Sequence, residues 1–577
     1  MQEKSKDMMP RQAVQEAMRR ILGTMYSAED AERALHGILS CIDKYGWDRN
    51  HHGEAWSESD AVLITYADSI TKKGQKPLAT LRNFYSEHLQ ESFSHVHLLP
   101  FFPYSSDDGF SITDFYSVNP RLGTWKDIER LGEEAGLMFD FVLNHVSARS
   151  RWFKQYLAAK EGYRSLAVEV PEDTDLSMVF RPRALPLCTP VAKKDGTGVH
   201  VWTTFSSDQI DLNYKSVDVL LRMIDVLLFY VSKGASIIRL DAIAYAWKEP
   251  GTPCIHLPEA HALVKLIRLA AGAVSTACRI LTETNVPHKD NVSYFGSGHD
   301  EAHMVYNFSL PPLVLYTFIT GDTSVLLHWS KTLKAPCPET SFFNFTASHD
   351  GIGILPLKEY VPERDFSAVI DHVRRNGGAV SYKSINDSKA PYELNVSFID
   401  AIAGPQDSPA SLARRFLASQ SIALVLPGIP AVYIHSLLGS RNWYRGVEQT
   451  GMLRSINREK LRAEAVLQEI SDRKTFRGMI FSAYTRMLAL RRSLPAFSPA
   501  AMCEPFFASP QVFGVKRRTH RQTIYAYTNV TDRQVRVELP QGHTAGQGRT
   551  VLGTAVFRDG SAVLQPFEVC WMVYDHK

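Results

Sequence analysis

Eight short apolar runs constrain this chain more than any other feature: Val62–Tyr66, Val96–Phe101, Leu137–Leu143, Ile237–Ala242, Ile280–Thr284, His303–Phe308, Phe342–Thr346 and Ile429–His435. Longer stretches of helical periodicity generally separate them. Runs this short suit strands buried on both faces, and strands that alternate with helices pair in parallel. Eight such units predict an α/β fold, the (β/α)8 TIM barrel, in which the C-terminal strand ends build the site. With 577 residues the chain exceeds the roughly 250 of a plain barrel, so further segments are expected.

Those segments are visible as changes of pattern. Between Ala13 and Lys44, Val14, Ala17, Ile21, Leu22, Met25, Ala34, Leu35, Ile38, Leu39 and Ile42 recur at helical spacing with a break near Ser27. This predicts two amphipathic helices in an N-terminal extension over residues 1–56. The first part of the barrel would cover 57–145 and an inserted domain 146–213. The second part would cover 214–497, with an excursion near 356–395, and a C-terminal β domain 498–577, where short alternating strands lie between Gly, Pro and Asn turns.

Lys and Arg total 64 against 61 Asp and Glu, a net charge of +3, too weak and dispersed for nucleic acid or an anionic membrane. No window approaches the roughly 18 apolar residues of a membrane helix. The first twenty residues, with Lys4, Asp7, Arg11, Glu16, Arg19 and Arg20, lack a secretory pattern, so a cytoplasmic protein is expected, monomeric or homodimeric. The 7 cysteines are widely spaced, with no C-x-x-C pair, and read as buried free thiols. No metal site, calcium included, and no organic cofactor is expected.

Three acids each end an apolar run: Asp241 in Ile237–Ala242, Glu283 in Ile280–Thr284, and Asp350 in Ser348-His349-Asp350-Gly351. Any one alone could cap the following helix. Together, on barrel strands, they would face one crevice, as glycosidic chemistry requires: one carboxylate attacks the anomeric carbon while a protonated group escorts the leaving oxygen. Arg239, two residues before Asp241, shares its strand face and can hold it ionised. Asp140-Phe141-Val142-Leu143-Asn144-His145 ends another run with polar groups suited to sugar hydroxyls, although His145 alone reads as a structural hydrogen-bond partner.

Asp140 to His145, Arg239-Leu240-Asp241, Glu283 and His349-Asp350 resemble the four ordered regions of the α-amylase clan, glycoside hydrolase family 13. Within it, Leu63-Ile64-Thr65-Tyr66-Ala67-Asp68, Leu98 to Phe102, Arg181-Pro182-Arg183, Trp202 to Phe205 with Gln209-Ile210-Asp211, Arg239 through Lys248 to Thr252, and Arg454 to Arg458 resemble the sucrose phosphorylase subgroup. The resemblance implies a hexosyltransferase. Asp241 would be its nucleophile, Glu283 its general acid/base and Asp350 the group gripping the glucose hydroxyls. It places Asp68, His145, Arg239, His349 and Arg454 around the glucose, with Phe205 and Gln209 flanking it. Arg183, Tyr245, Tyr392 and Glu393 fall on the phosphate and acceptor side. Without the resemblance Phe205 could equally be a core aromatic and Arg183 a solvated loop residue.

Departures from sucrose phosphorylases proper are Phe115 and Asn285 where they have His, Glu393 where they have Gln, and the long N-terminal stretch. That stretch and Asn285-Val286-Pro287-His288 resemble the glucosylglycerate phosphorylases of the subgroup. The substrates implied are a small glucoside and inorganic phosphate, with D-glycerate as acceptor. Its carboxylate would need Arg183, His288, Lys383 or Arg441. Sucrose, sucrose 6′-phosphate or glucosylglycerol phosphorolysis and plain hydrolysis are the competing readings.

Overall fold

The computed structural model describes residues 11–48, 56–385, 388–539, 548–558 and 560–576. Residues 1–10 and 49–55 of the expected extension lie outside them. Eight parallel strands close a barrel: β1 (Val62–Thr65), β2 (His95–Leu98), β3 (Gly136–Val142), β4 (Ala235–Asp241), β5 (Arg279–Thr282), β6 (Met304–Tyr306), β7 (Ser341–Asn344) and β8 (Ile429–Tyr433). They follow one another around the ring, β8 pairing with β1, so each apolar run of the sequence supplies one strand. The run Val96–Phe101 overshoots its strand. Pairing stops after Leu98, and Phe101 instead packs edge-on against Phe139 at 5.0 Å and Trp125 at 5.5 Å.

Helix α1 (Arg11–Met25) and helix α2 (Ala28–Tyr45) bear out the two amphipathic helices, and the Ser27 side chain ends the break by accepting the Asp30 N–H at 3.2 Å. Their apolar faces lie on two outer barrel helices, α3 (Val217–Ser232) and α4 (Pro258–Val274). Gly37 allows the close approach of α2 to α3, because a Cβ there would meet Leu221 at 2.4 Å. Lys44–Asp225 at 2.6 Å and Arg33–Asp218 at 2.9 Å border this contact, and as half-exposed pairs they orient it more than they stabilise it.

Two smaller sheets position the site. His145–Ser147 pairs antiparallel with Gln209–Asp211, so the chain leaving β3 is tied directly to the end of the inserted segment. Ala379–Ile385 and Ser388–Asn395 form a hairpin, and Ile352–Gly353 pairs with its second strand. A five-stranded antiparallel sheet and a two-stranded one follow Met502. The seven cysteines are free, and among the described residues no helix is long and apolar enough to cross a membrane.

Candidate active site

β4 and β5 pair in register, Arg279 opposite Ile237 and Thr282 opposite Leu240. Asp241 and Glu283 therefore leave neighbouring strands at one level, and both line a single cavity with Asp350 from the loop after β7. Ala242, next to Asp241, sits in the left-handed region at φ 52°, a conformation strained for a residue with a Cβ. The turn aims its N–H at Glu283 Oε2, 3.0 Å away.

Arg239 is the hub beneath the three acids. Its Nη1 donates to Asp140 Oδ1 at 2.6 Å and to Asp241 Oδ1 at 2.7 Å, while Nη2 lies 3.9 Å from Glu283 Oε1. The other oxygen of Asp140 meets His97 Nε2 at 2.8 Å, so the guanidinium is held from below by a buried, doubly anchored carboxylate. This orients Asp241 through one oxygen.

The electrostatics separate the acids. Burial raises the Asp241 carboxyl, Arg239 opposes it, and Asp140 and Asp350 add to the rise, leaving it at about 6. Glu283 is raised further, to about 7, by burial and by Asp241 and Asp350 against the pull of Arg239. Asp241 thus ionises before Glu283, which suits a nucleophile beside an acid that still carries its proton near neutrality. Burial also pushes Asp350 up, but the guanidiniums of Arg454, Arg458 and Arg239 outweigh it and hold this carboxyl far below its usual range. Arg454 Nη1 is 2.6 Å from Asp350 Oδ1, and the same guanidinium donates to both oxygens of Glu393, at 2.9 and 2.5 Å. Glu393 therefore enters the cavity wall as half of an ion pair.

Around these charges the cavity is lined by His145, Phe205, Gln209, His349, Tyr245, Tyr392 and Arg183. His349 stacks on Phe110 at 4.9 Å, with an interplanar angle of 3°, and burial keeps its imidazole neutral. Phe205 stands edge-on to His145 at 5.4 Å and to Tyr245 at 5.5 Å, a wall of the cavity rather than part of the core. The His145–Ser147 ribbon brings Gln209 Nε2 to 3.1 Å from His145 Nε2. Tyr392 comes from the hairpin, and Arg183 lies over its ring at 5.9 Å. Burial raises both phenols, Tyr245 well above the ordinary value and Tyr392 to about 12, so each remains a neutral hydrogen-bond donor. Arg183 has no carboxylate partner among the described residues.

One expected placement fails. Asp68 lines a neighbouring cavity with Tyr104 and Asp108, its Oδ1 2.5 Å from Lys460 Nζ. The cause is non-local: Ile70–Thr71 pairs with Leu461–Arg462, which draws the chain after β1 toward Lys460. Phe115, one of the departures from the sucrose phosphorylases, packs on Trp152 at 5.1 Å and lines a different cavity from the three acids. Between Asn144 and Asp211, the ammonium of Lys248 lies 2.6 and 2.5 Å from their oxygens.

Residues 88–350 match the alpha amylase catalytic domain. The glucosylglycerate phosphorylase of Spirochaeta thermophila is 50% identical over 514 residues, 87% of this chain and 86% of that protein. The glucosylglycerate phosphorylase of Escherichia coli is 43% identical over 97% of this chain and 100% of its own. The chain belongs to the α-amylase family. Among solved members of that family, the sucrose 6F-phosphate phosphorylase of Thermoanaerobacter thermosaccharolyticum superposes with a TM-score of 0.73 at 25% identity, over 83% of this chain and 96% of that one.

The α-amylase cavity of this chain contains groups that sequence reasoning missed. Asp107 and Phe110 line it from the loop after β2, and Asp107 is the acid on the side where Asp68 was expected. Asp107 and Asp108 are both left-handed, at φ 53° and 46°, before Gly109. The available signal was an Asp-Asp-Gly step within the loop that follows a barrel strand, since Asp tolerates that region better than most residues. Arg458 was also passed over. It donates to Asp108 at 2.7 Å and to the His349 carbonyl at 2.7 Å, fixing the loop that carries Asp350.

Proposed function

We infer that this protein is a retaining glucoside phosphorylase that converts 2-O-α-D-glucosyl-D-glycerate and phosphate into α-D-glucose 1-phosphate and D-glycerate. The observation that carries the reading is Arg183, without a carboxylate partner among the described residues, in one cavity with two adjacent carboxyls. Arg239 touches Asp241 and approaches Glu283, which supports the short separation of a retaining pair. In the first step Asp241 attacks the anomeric carbon and forms a β-glucosyl ester, while Glu283 gives its proton to the departing glycerate oxygen. In the second, a phosphate oxygen attacks from the vacated face, Glu283 takes the proton of the incoming group, and the ester breaks with net retention. Asp350, kept anionic by Arg454, is suited to grip glucose hydroxyls.

Two things support glycerate as the acceptor: the names of the two relatives, and the Arg454–Glu393 pair. An anionic acceptor beside Glu393 meets a carboxylate whose charge Arg454, shared with Asp350, partly offsets, which reduces the repulsion a free carboxylate would cause. The test is synthesis from α-glucose 1-phosphate, followed by phosphate release with D-glycerate, glycerol, fructose and fructose 6-phosphate. D-Glycerate is expected to exceed each of the others roughly tenfold or more, the scale of one charged hydrogen bond. Equal or better turnover with fructose or fructose 6-phosphate would move the protein to the sucrose type, and glucose release independent of phosphate would make it a hydrolase. Arg183→Ala is expected to raise the phosphate KM roughly tenfold or more and to increase the hydrolysed share, because the ester then waits for water. An unchanged phosphate KM would remove Arg183 from the anion site.

A further inference from the structure

Of the four cations offered for an acceptor carboxylate, the structure withdraws two. Arg441 is committed to Asp400 at 2.5 Å, with Asp400 also holding the Asn442 N–H. His288 packs against the rings of Trp329 and Phe342, and burial keeps it neutral, so it brings no charge to a carboxylate. Arg183 is taken up by the phosphate assignment. Lys383 remains, and its surroundings are unusual.

Lys383 lies on the hairpin that carries Tyr392 and Glu393, two residues from Ser381, which pairs with Glu393. Its side chain is only 6% exposed, yet it has no carboxylate partner among the described residues. Its ammonium rests on the Phe180 ring, 4.6 Å from the centroid, and Phe180 in turn neighbours Tyr245 of the cavity wall, at 6.3 Å between rings. The charge acting on it most is Lys358, whose own ammonium lies 3.4 Å from Glu363. Burial and Lys358 together lower the Lys383 pKa. A buried cation that meets, among the described residues, a ring and another cation but no carboxylate costs stability, and chains retain such an arrangement where an anion arrives to complete it.

We propose that Lys383 is a specificity-determining residue for the acceptor: its ammonium, held behind the cavity wall on the Phe180 ring that adjoins Tyr245, swings in to receive the carboxylate of the glycerate while Arg183 serves phosphate. The proposal rests on the reading of the protein as a glucosylglycerate phosphorylase. A flexible four-carbon stem over an aromatic ring lets the ammonium swing toward the ligand at little cost, and Phe180 shields it from water when no acceptor is bound.

The test compares kcat/KM for D-glycerate and for glycerol in synthesis from α-glucose 1-phosphate, in the full-length wild type, Lys383→Met and Lys383→Arg. Both rates come from one preparation, so their ratio cancels any loss of folded enzyme. The ratio should fall roughly tenfold to a hundredfold in Lys383→Met and be largely kept in Lys383→Arg, while the phosphate KM in phosphorolysis moves far less. An unchanged ratio in Lys383→Met overturns the proposal. So does a phosphate KM that rises as much as the glycerate KM, which would make Lys383 a general anion holder. A wild type with no preference for glycerate over glycerol would instead bring down the functional reading, and the role of Lys383 with it.

Discussion

Asp241→Asn should abolish turnover in both directions, by about 10⁴-fold or more in kcat, because an amide cannot form the glucosyl ester and no neighbouring group can replace it. The alternatives are excluded by their own contacts. Glu283 is occupied by the Ala242 N–H and carries the proton the leaving group needs, Asp350 is tied to Arg454, and Asp140 lies wholly inside the barrel under Arg239. The variant should still fold, since Arg239 keeps its 2.6 Å bond to Asp140 and an amide oxygen can accept the bond that Asp241 Oδ1 received. Unchanged near-ultraviolet circular dichroism with no detectable α-glucose 1-phosphate formation is the expected result. Substantial turnover in a folded preparation would remove Asp241 as nucleophile.

How far the sequence reaches depends on whether a feature is local. The barrel was legible because strands buried on both faces are continuous apolar runs, and Asp241 and Glu283 were legible because each ends one of them. Arg239 could be placed from strand periodicity alone, two residues before Asp241 on the same face. The missed features all depend on distant pairing. Asp68 is pulled aside by a ribbon to Leu461–Arg462, nearly four hundred residues on. Glu393 read as a free acceptor-side charge because nothing local reveals that Arg454, 61 residues away, partly offsets it. From its own strand end His145 read as a structural hydrogen-bond partner and only the resemblance placed it at the glucose, whereas a three-residue ribbon to Gln209–Asp211 is what makes it part of the wall. Lys383 could be named as a candidate but not ranked, since what singles it out is burial against Phe180 without a counter-charge.

Glu283→Gln should separate proton donation from positioning. Glycerate is a poor leaving group, so losing the proton should slow phosphorolysis of its glucoside by roughly 10²–10⁴-fold. An activated aryl glucoside, which needs little protonation, should lose far less. The same residue should shape the pH profile. In the wild type kcat/KM should fall below about 6 as Asp241 takes up a proton and ceases to be a nucleophile. It should fall again above about 7 as Glu283 loses the proton it must donate. The optimum therefore lies in a narrow window between the two, and because the carboxyls interact the limbs report the apparent ionisations of the pair. In Glu283→Gln, measured with the activated donor, the alkaline limb should vanish while the acid limb persists, because Asp241 still has to ionise. A retained alkaline limb would assign that ionisation to another group in the cavity. Equal losses on the poor and the activated leaving group would show that Glu283 only holds the sugar, leaving the glycoside without an acid to release it.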